Sequence, residues 1–207
     1  MLLGLAPGSR VVIALNGNTD VPGKVFGAAA QNRLILEFTL DSVKSWVVDG
    51  AGLGAVTAAD LSILPGNADR SALRGVPGAN MKISGTYIPA DLKLSFRKEF
   101  AGQFANVYKM ADGRLGFQAC VRLGEDGAAV IPGAYTAGGY VVMVCEFSDL
   151  PGDISNDGVL NALDAAEVLN TVVGISEGAN PLMGDYNGDG AVNALDASMI
   201  LKKAVGL

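Results

Sequence analysis

The stretch DISNDGVLNALD at residues 153–164 decides the fold of the C-terminal part of this chain, and DYNGDGAVNALD at residues 185–196 repeats it. Each stretch has an oxygen-bearing side chain at positions 1, 3, 5, 9 and 12, and a glycine at position 6. Calcium is a hard cation that takes about six to eight oxygen ligands, and glycine permits the tight turn that points alternate residues at one centre. The spacing therefore predicts two calcium ions, one in each loop.

The predicted ligands follow loop positions 1, 3, 5, 7, 9 and 12, with a backbone carbonyl at position 7. They are Asp153, Ser155, Asp157, Val159, Asn161 and Asp164 in the first loop, and Asp185, Asn187, Asp189, Ala191, Asn193 and Asp196 in the second. Ser155 offers only a neutral hydroxyl, so we expect the first site to be the weaker one. The alternative is a pair of surface turns rich in Asp, Asn and Gly, but the whole pattern recurs in order 32 residues later.

Apolar residues at helical spacing follow each loop. They are Val168, Leu169, Val172 and Val173 after the first loop, and Ile200, Leu201, Ala204 and Val205 after the second. One helix is predicted after each loop, closed by Gly174 or Gly206. The prolines and glycines that precede each loop, in 150–152 and 181–184, do not favour a helix there. Each unit is therefore half of an EF-hand.

Paired half EF-hands with Asp at position 12 and a conspicuous dipeptide at positions 10 and 11 closely resemble the dockerin domain, over about residues 151–207. The resemblance implies a module that docks into a cohesin of a scaffold or cell-surface protein, in a cellulosome-like complex that degrades polysaccharide. Contact with polysaccharide itself would then be indirect. Dockerins act outside the cell, so the resemblance also implies an extracellular or cell-surface location.

The resemblance assigns cohesin contacts to the loop dipeptides and to two positions farther along each helix. These are Ala162, Leu163, Asn170 and Thr171 in the first repeat, and Ala194, Leu195, Lys202 and Lys203 in the second. An Ala-Leu pair offers a small apolar knob, so we expect an apolar partner surface there; core packing of the two leucines is the alternative. Since both repeats present Ala-Leu, we hypothesise two binding orientations related by half a turn, although the two lysines argue against full equivalence.

Charge divides the chain at the same place. Residues 151–207 hold eight acidic and two basic side chains, and residues 1–150 hold 13 of each, out of 21 and 15 in all. The net charge of −6 therefore lies in the repeat region, where two calcium ions would offset about four charges. So short a region buries little apolar core, so we expect its folding to be coupled to calcium binding. The absence of a basic excess argues against nucleic-acid binding.

Residues 1–150 are predicted to form one domain with short strands between Gly, Asn and Asp turns. The strand candidates are 10–15, 33–38, 44–48, 81–84, 92–97, 117–122 and 140–147. Their spacing predicts an antiparallel, immunoglobulin-like (Ig-like) sandwich. The fold class is thus a mainly β N-terminal sandwich followed by a small all-α calcium-binding domain. The stretch 58–64 is either a short helix or another strand.

An enzyme is not predicted. The chain has no histidine, which excludes Ser-His-Asp and Cys-His mechanisms. Paired carboxylates remain chemically possible, but Glu37, Glu99, Glu125 and Glu146 are more typical of solvated strand or turn positions. The aromatic residues available for a sugar-binding platform are Trp46, Tyr87, Tyr108, Tyr135 and Tyr140. Trp46 is more typical of a core position. The alternative function is therefore a polysaccharide-active enzyme or carbohydrate-binding module that carries a dockerin.

Only residues 148–152 separate the last predicted strand from the first calcium ligand, where enzymes usually have a flexible linker. We therefore expect the two domains to touch. This arrangement resembles the X-module and dockerin pairs of scaffold and cell-surface proteins, in which a β-sandwich packs on the dockerin and stiffens it. A calcium sensor of the calmodulin kind is a remote third possibility, because it needs a helix before each loop.

Cys120 and Cys145 lie in predicted strands, either as a disulfide between neighbouring strands or as two buried thiols, which their apolar flanks favour. No stretch is long enough to span a membrane. The first residues lack the basic start and long apolar run of a signal peptide. We therefore expect this chain to be the C-terminal end of a larger secreted bacterial protein.

Overall fold

The computed structural model describes residues 4–56, 58–84, 89–133 and 136–207. The strands there are β1 (Arg10–Ala14), β2 (Asp20–Pro22), β3 (Ile35–Thr39), β4 (Lys44–Asp49), β5 (Ala58–Asp60), β6 (Ile63–Pro65), β7 (Val76–Ile83), β8 (Asp91–Ser95), β9 (Phe104–Ala111), β10 (Arg114–Arg122), β11 (Ala128–Ile131) and β12 (Gly138–Cys145). The α-helices are α1 (Gly23–Asn32), α2 (Ala162–Val172) and α3 (Ala194–Ala204). Short 3-10 helices occupy Gly50–Gly52, Lys98–Phe100 and Pro181–Met183. Among the described residues, no helix has the length and apolar character needed to cross a bilayer.

Two five-stranded sheets form the N-terminal sandwich. The first has the order β1-β3-β4-β8-β11 and the second the order β10-β9-β12-β7-β6. Side chains from both sheets, including Phe38, Leu92 and Val142, form one buried core. Each of the seven predicted strands is present, and the mainly β class is confirmed.

The sandwich departs from the wholly antiparallel, Ig-like prediction at its N-terminal end. β1 pairs parallel to β3, and helix α1 lies between them in the chain. A parallel pair needs such a long crossover. The sequence did not predict this helix, because the glycines at positions 23 and 27 disfavour helix formation. It is held by packing rather than by propensity, since Phe26 is fully buried with its ring 5.7 Å from that of Phe38.

The stretch 58–64, which the sequence left open between helix and strand, is extended. β5 pairs with β2 in a small two-stranded sheet, and β6 continues the edge of the second sheet beside β7. β9 and β11 were also not predicted from the sequence. β9 is buried on both faces, so it lacks the alternation of a half-exposed strand.

The second sheet is covered on its outer face as well as on its core face. Along β9, Ala105 and Val107 face the core, so by the pleat Phe104, Asn106 and Tyr108 face the other way. All three of these outward side chains are buried. The segment 66–75 and the chain leading into the first loop cover them. This outer face is the surface on which the C-terminal region is built.

Cys120 and Cys145 are free, half-buried thiols rather than a disulfide. Their strands, β10 and β12, lie on either side of β9, so they are not neighbours. Burial raises the pKa of Cys120 to about 11. This thiol therefore stays protonated at neutral pH.

The C-terminal region has its own small core between α2 and α3. Its fully buried members include Ile154, Val168 and Ile200. Gly174 and Gly206 close the two helices with left-handed φ angles of 73° and 78°. Both ends are Schellman motifs, in which the next residue donates back to the third-last helical carbonyl, at 2.8 Å after α2 and 2.9 Å after α3.

Candidate calcium and docking site

The first loop is organised around the two carboxylates at its ends. Asp153 is fully buried and accepts hydrogen bonds from the backbone N–H groups of Asp157 at 3.0 Å and Gly158 at 2.9 Å. Asp164, also fully buried, accepts from the N–H groups of Ser155 at 3.1 Å and Asn161 at 2.9 Å. These bonds draw the loop around its predicted ligands, as alternate inward-pointing oxygens require.

The second loop repeats these bonds. Asp185 accepts from the N–H groups of Asp189 at 3.1 Å and Gly190 at 2.8 Å. Asp196 accepts from the N–H groups of Asn187 at 3.1 Å and Asn193 at 2.9 Å. The shared sequence pattern therefore gives one loop geometry twice.

The residues at positions 9 and 12 also start the helices. Asn161 caps α2 by accepting from the N–H of Leu163 at 2.7 Å, and Asn193 caps α3 in the same way at 2.8 Å. Asp164 and Asp196 complete a capping box in each helix. The aspartate at position 12 thus bonds both to the loop backbone and to the start of the helix, which joins loop and helix into one unit.

The oxygens of each loop fit calcium in kind and charge. Asp153, Asp164 and Asp196 are fully buried, and no ion pair of the described residues involves any of the six loop aspartates. Buried carboxylates without a cation are unfavourable, and a divalent cation would supply the missing charge.

The donor set of each loop is mixed. No group of three or more His, Cys, Asp and Glu side chains in the part of the chain that the structure describes is close enough to hold a metal by itself. The carboxylate of Asp157 turns instead to the N–H of Val159, at 2.8 Å. Amide and backbone oxygens would therefore complete each site, together with the hydroxyl of Ser155 in the first loop, and this is the hard-oxygen mixture that calcium accepts.

The dipeptides after position 9 lie on the surface. Leu163 is 56% exposed and Leu195 is 54% exposed, so the interpretation of these leucines as core residues is wrong. Ala162, Ala194, Lys202 and Lys203 are exposed as well. Asn170 and Thr171 are half-buried and bonded to Glu167, at 3.2 and 2.9 Å.

The expected contact between the sandwich and the C-terminal region is present in the hydrogen bonds of Arg122 to the first loop, and the sandwich also binds the segment that joins the two. Asn106, fully buried on β9, donates to the carbonyl of Phe147 and accepts from the N–H of Asp149, both at 2.9 Å. Asp149 also accepts bonds from Tyr108 and Arg74. Burial, and then the neighbouring Asp149, raises the pKa of Tyr108.

A second bonded group joins the junction to the segment between the two repeats. Asn180, which is 1% exposed, donates to the carbonyl of Ser148 at 2.6 Å and accepts from Arg74 at 3.4 Å. Sequence reasoning missed Arg74, Asn106 and Asn180. The side-chain partners of each lie at least 27 residues away along the chain, so no local pattern reveals them.

The residues considered for catalysis or sugar binding lie in ion pairs, on the exposed surface or in the core of this fold. Burial acts to raise the pKa of Glu37, but hydrogen bonds from Arg10, Ser45 and Lys93 outweigh it and hold the pKa below its usual value. Glu99 is paired with Arg97, and Glu125 and Glu146 are exposed.

Trp46 is a core residue whose ring N–H donates to the carbonyl of Leu61 at 2.9 Å. Tyr108 and Tyr140 are buried, while Tyr87 and Tyr135 lie outside the described residues.

Comparison with known families agrees with this geometry. Residues 151–205 match the model of the dockerin type I domain family. No curated protein and no solved structure is significantly similar to the chain. Dockerin domains bind calcium, dock to cohesins and are typically extracellular components; they are not catalytic, and no enzyme family is matched. The C-terminal part of this chain is therefore a dockerin type I domain, preceded by a β-rich region.

Proposed function

We propose that residues 151–207 bind a cohesin of a scaffold or cell-surface protein, with two calcium ions held by the two loops. The chain thereby joins a cellulosome-like extracellular complex for polysaccharide degradation. Residues 1–150 form an X-module-like domain that stabilises the dockerin and is not an enzyme. One observation carries the proposal: an exposed Ala-Leu pair begins the helix at positions 10 and 11 of each loop, and the first aspartate of each loop accepts backbone N–H bonds from across that loop.

The composition of the surface supports a docking role. Eleven of the eighteen exposed large apolar side chains of the described residues lie in 159–207. They include Leu163, Leu169 and Val172 on α2, and Leu195 and Leu201 on α3. A concentration of exposed apolar residues on so small a region is typical of a protein interaction site.

The junction supports the stabilising role of residues 1–150. Residues 147–149 are hydrogen-bonded, through their backbone or side chains, to Asn106, Arg74 and Asn180. A flexible linker would leave these backbone groups to water. Buried groups with all of their hydrogen bonds made favour one fixed arrangement of the two regions.

The exposure of both Ala-Leu pairs supports two faces for docking. The sandwich contacts the first loop at Asn156, Asp157 and Gly158, whereas Leu163 and Leu195 are exposed to nearly the same degree. This supports the hypothesis of two binding orientations. The half-buried Asn170 and Thr171 on one face and the exposed Lys202 and Lys203 on the other would make the two orientations unequal in affinity.

Calorimetry of the whole chain against a panel of cohesins, first with calcium and then with chelator, tests the proposal. We expect tight binding to at least one cohesin, and its loss on chelation. The control is the double variant Leu163→Asp with Leu195→Asp, which places a charge on each knob and leaves both loops intact. Binding to no cohesin in calcium, or binding unaffected by the double variant, would contradict the proposal.

The alternative, an enzyme or carbohydrate-binding module, finds little support in the described residues. Its candidate carboxylate Glu37 is held by two cations, and its candidate platform residue Trp46 is 3% exposed. Binding or cleavage of plant polysaccharide by the chain without any cohesin would establish the alternative instead.

A further inference from the structure

We propose that the β-rich region is part of the first calcium site. Arg122 and Phe104 of the sandwich hold positions 4 to 6 of the first loop, Asn156 to Gly158, in the shape that binds calcium, so this site fills before the second. The inference rests on the proposed stabilising role of residues 1–150 and assigns that role to one of the two loops. It also reverses the order of affinity that Ser155 alone suggested.

Arg122 links the end of β10 to the backbone of the first loop. Its guanidinium donates to the carbonyls of Asn156 at 3.2 Å and Asp157 at 3.4 Å. The same group donates to the carbonyl of Gly102 at 2.9 Å and lies 4.3 Å from the centre of the Phe104 ring. A planar donor with several N–H groups, fixed at both ends, restrains the two loop peptides.

Phe104 contacts the residue that follows. It is 1% exposed, yet its ring lies outside the sandwich core and against Gly158. The N–H of Gly158 donates to Asp153, the ligand at position 1, at 2.9 Å. Packing on Phe104 therefore acts one hydrogen bond away from a predicted calcium ligand.

Asn156 fixes the third point of contact. Its side chain accepts from the N–H of Ser148 at 2.8 Å and donates to the carbonyl of Glu146 at 3.0 Å. Its φ of 60° is left-handed, a conformation that asparagine tolerates better than most residues. The loop is thereby tied to the strand end from which it leaves the sandwich.

The second loop has none of these contacts among the described residues. The residue equivalent to Asn156 is Gly188, and a Cβ added to Gly188 or Gly190 would meet nothing within 4 Å. Both loops carry three aspartates, so formal charge does not distinguish them. The difference lies in how much of the ordering of each loop the sandwich contacts supply, because calcium binding then has less ordering left to supply.

The positive charge of Arg122 opposes calcium, while its hydrogen bonds favour the ligand-binding shape. Arg122 is exposed, so salt screens its charge, whereas the directed bonds are short-ranged. We therefore expect the bonds to outweigh the charge. By linkage, calcium in the first loop must in turn strengthen the contact between the sandwich and the dockerin.

Nuclear magnetic resonance of the whole chain during a calcium titration separates the two sites. The amides of Gly158 and Gly190 each donate to the first aspartate of their own loop, so each reports its own site. In the parent chain we expect the Gly158 signal to reach its endpoint at lower calcium than that of Gly190. Arg122→Ala should move the Gly158 curve to about tenfold higher calcium and leave the Gly190 curve in place.

Matched variants test the cause. Asn156→Gly gives the first loop the residue of the second and should shift the Gly158 curve in the same direction; it also replaces Arg122→Ala if that variant fails to fold. Arg122→Lys keeps the charge but lacks the planar fork, so it should resemble Arg122→Ala. Arg114→Ala removes a charge from the other end of β10 and should move neither curve.

Equal movement of both curves, movement of neither, or a parent chain whose second site fills first would overturn the inference. Cohesin calorimetry at saturating calcium distinguishes this failure from failure of the proposed function. If the inference holds, Arg122→Ala binds cohesin normally once both loops are filled. A parent chain that binds calcium in this order but no cohesin would refute the docking proposal alone.

Discussion

The ring of Phe104 lies where a side chain at position 158 would begin: a Cβ on Gly158 would be 2.8 Å from Cε1 of that ring. Gly190 holds the same place in the second loop, and a Cβ there would meet nothing within 4 Å. The two glycines have nearly the same backbone, with φ of 85° and 89°. Two loops of one sequence pattern are thus distinguished by a contact that only the fold creates.

Alanine at each glycine separates this contact from backbone strain. Both Gly158→Ala and Gly190→Ala force an L-residue into the left-handed region, which costs about 1–2 kcal/mol. Only Gly158→Ala also collides with a buried ring, for about 1–3 kcal/mol more. Urea unfolding at saturating calcium, followed by the helical signal at 222 nm, should therefore show the larger loss for Gly158→Ala. Equal losses would mean that the ring moves aside freely.

Removal of calcium should unfold the dockerin and leave the sandwich folded. Without metal, the buried carboxylates of Asp153, Asp164 and Asp196 have no cation to balance their charge. Calcium at about a thousandfold above its dissociation constant adds roughly 4 kcal/mol to the stability of the folded dockerin. Chelator should therefore abolish most of the helical signal at 222 nm. Trp46, the only tryptophan and a core residue of the sandwich, provides the control. A red shift of its emission on chelation would show that the whole chain unfolds together.

Much of this fold could be predicted from local patterns in the sequence. Oxygen-bearing residues and glycine at fixed spacing, as in 153–164, depend on neighbours along the chain, and so do the alternating strands. Helix α1 and the junction depend on partners far away in sequence. The sequence around Asn106 does not predict a buried amide that binds residues 147–149. The sequence around Arg122 does not predict its contact with the first loop. The positions of Leu163 and Leu195 follow from the sequence repeat, but their exposure is a property of the fold.

Asn106→Ala should weaken the joint between the two regions. The change leaves the carbonyl of Phe147 and the N–H of Asp149 without their partner, at a cost of about 2–4 kcal/mol. In thermal unfolding with calcium present, the substitution should lower the midpoint measured at 222 nm more than the midpoint measured by Trp46 fluorescence. Asn80→Ala is the matched control, because Asn80 makes the same pair of bonds to Ala68, away from the junction.

For Asn80→Ala we expect the opposite order, with the larger change in Trp46 fluorescence. A variant pair that lowered both midpoints equally would show that the sandwich and the dockerin unfold as one cooperative unit. In that case the joint would be stronger than either part alone.

Glu37 should make the stability of the sandwich depend on pH. Its pKa is lowered in the folded state, so the carboxylate contributes stability above its unfolded pKa of about 4.5 and loses it as the pH falls through the folded pKa. Glu37→Gln should cost about 1–3 kcal/mol at pH 7, because Arg10 and Lys93 lose their anionic partner. Urea unfolding followed by Trp46 fluorescence should show the difference shrinking below about pH 4.5. A difference that stays constant with pH would indicate lost shape rather than lost charge.

Single substitutions of the two docking leucines decide between one and two binding orientations. If either face can bind, Leu163→Asp and Leu195→Asp should each reduce cohesin affinity only slightly at saturating calcium, because the other orientation remains. The double variant should lose binding altogether. Val12→Asp, which charges an equally exposed apolar residue on β1, should change nothing. Loss of binding in one single variant, with no effect of the other, would mean that a single face is used.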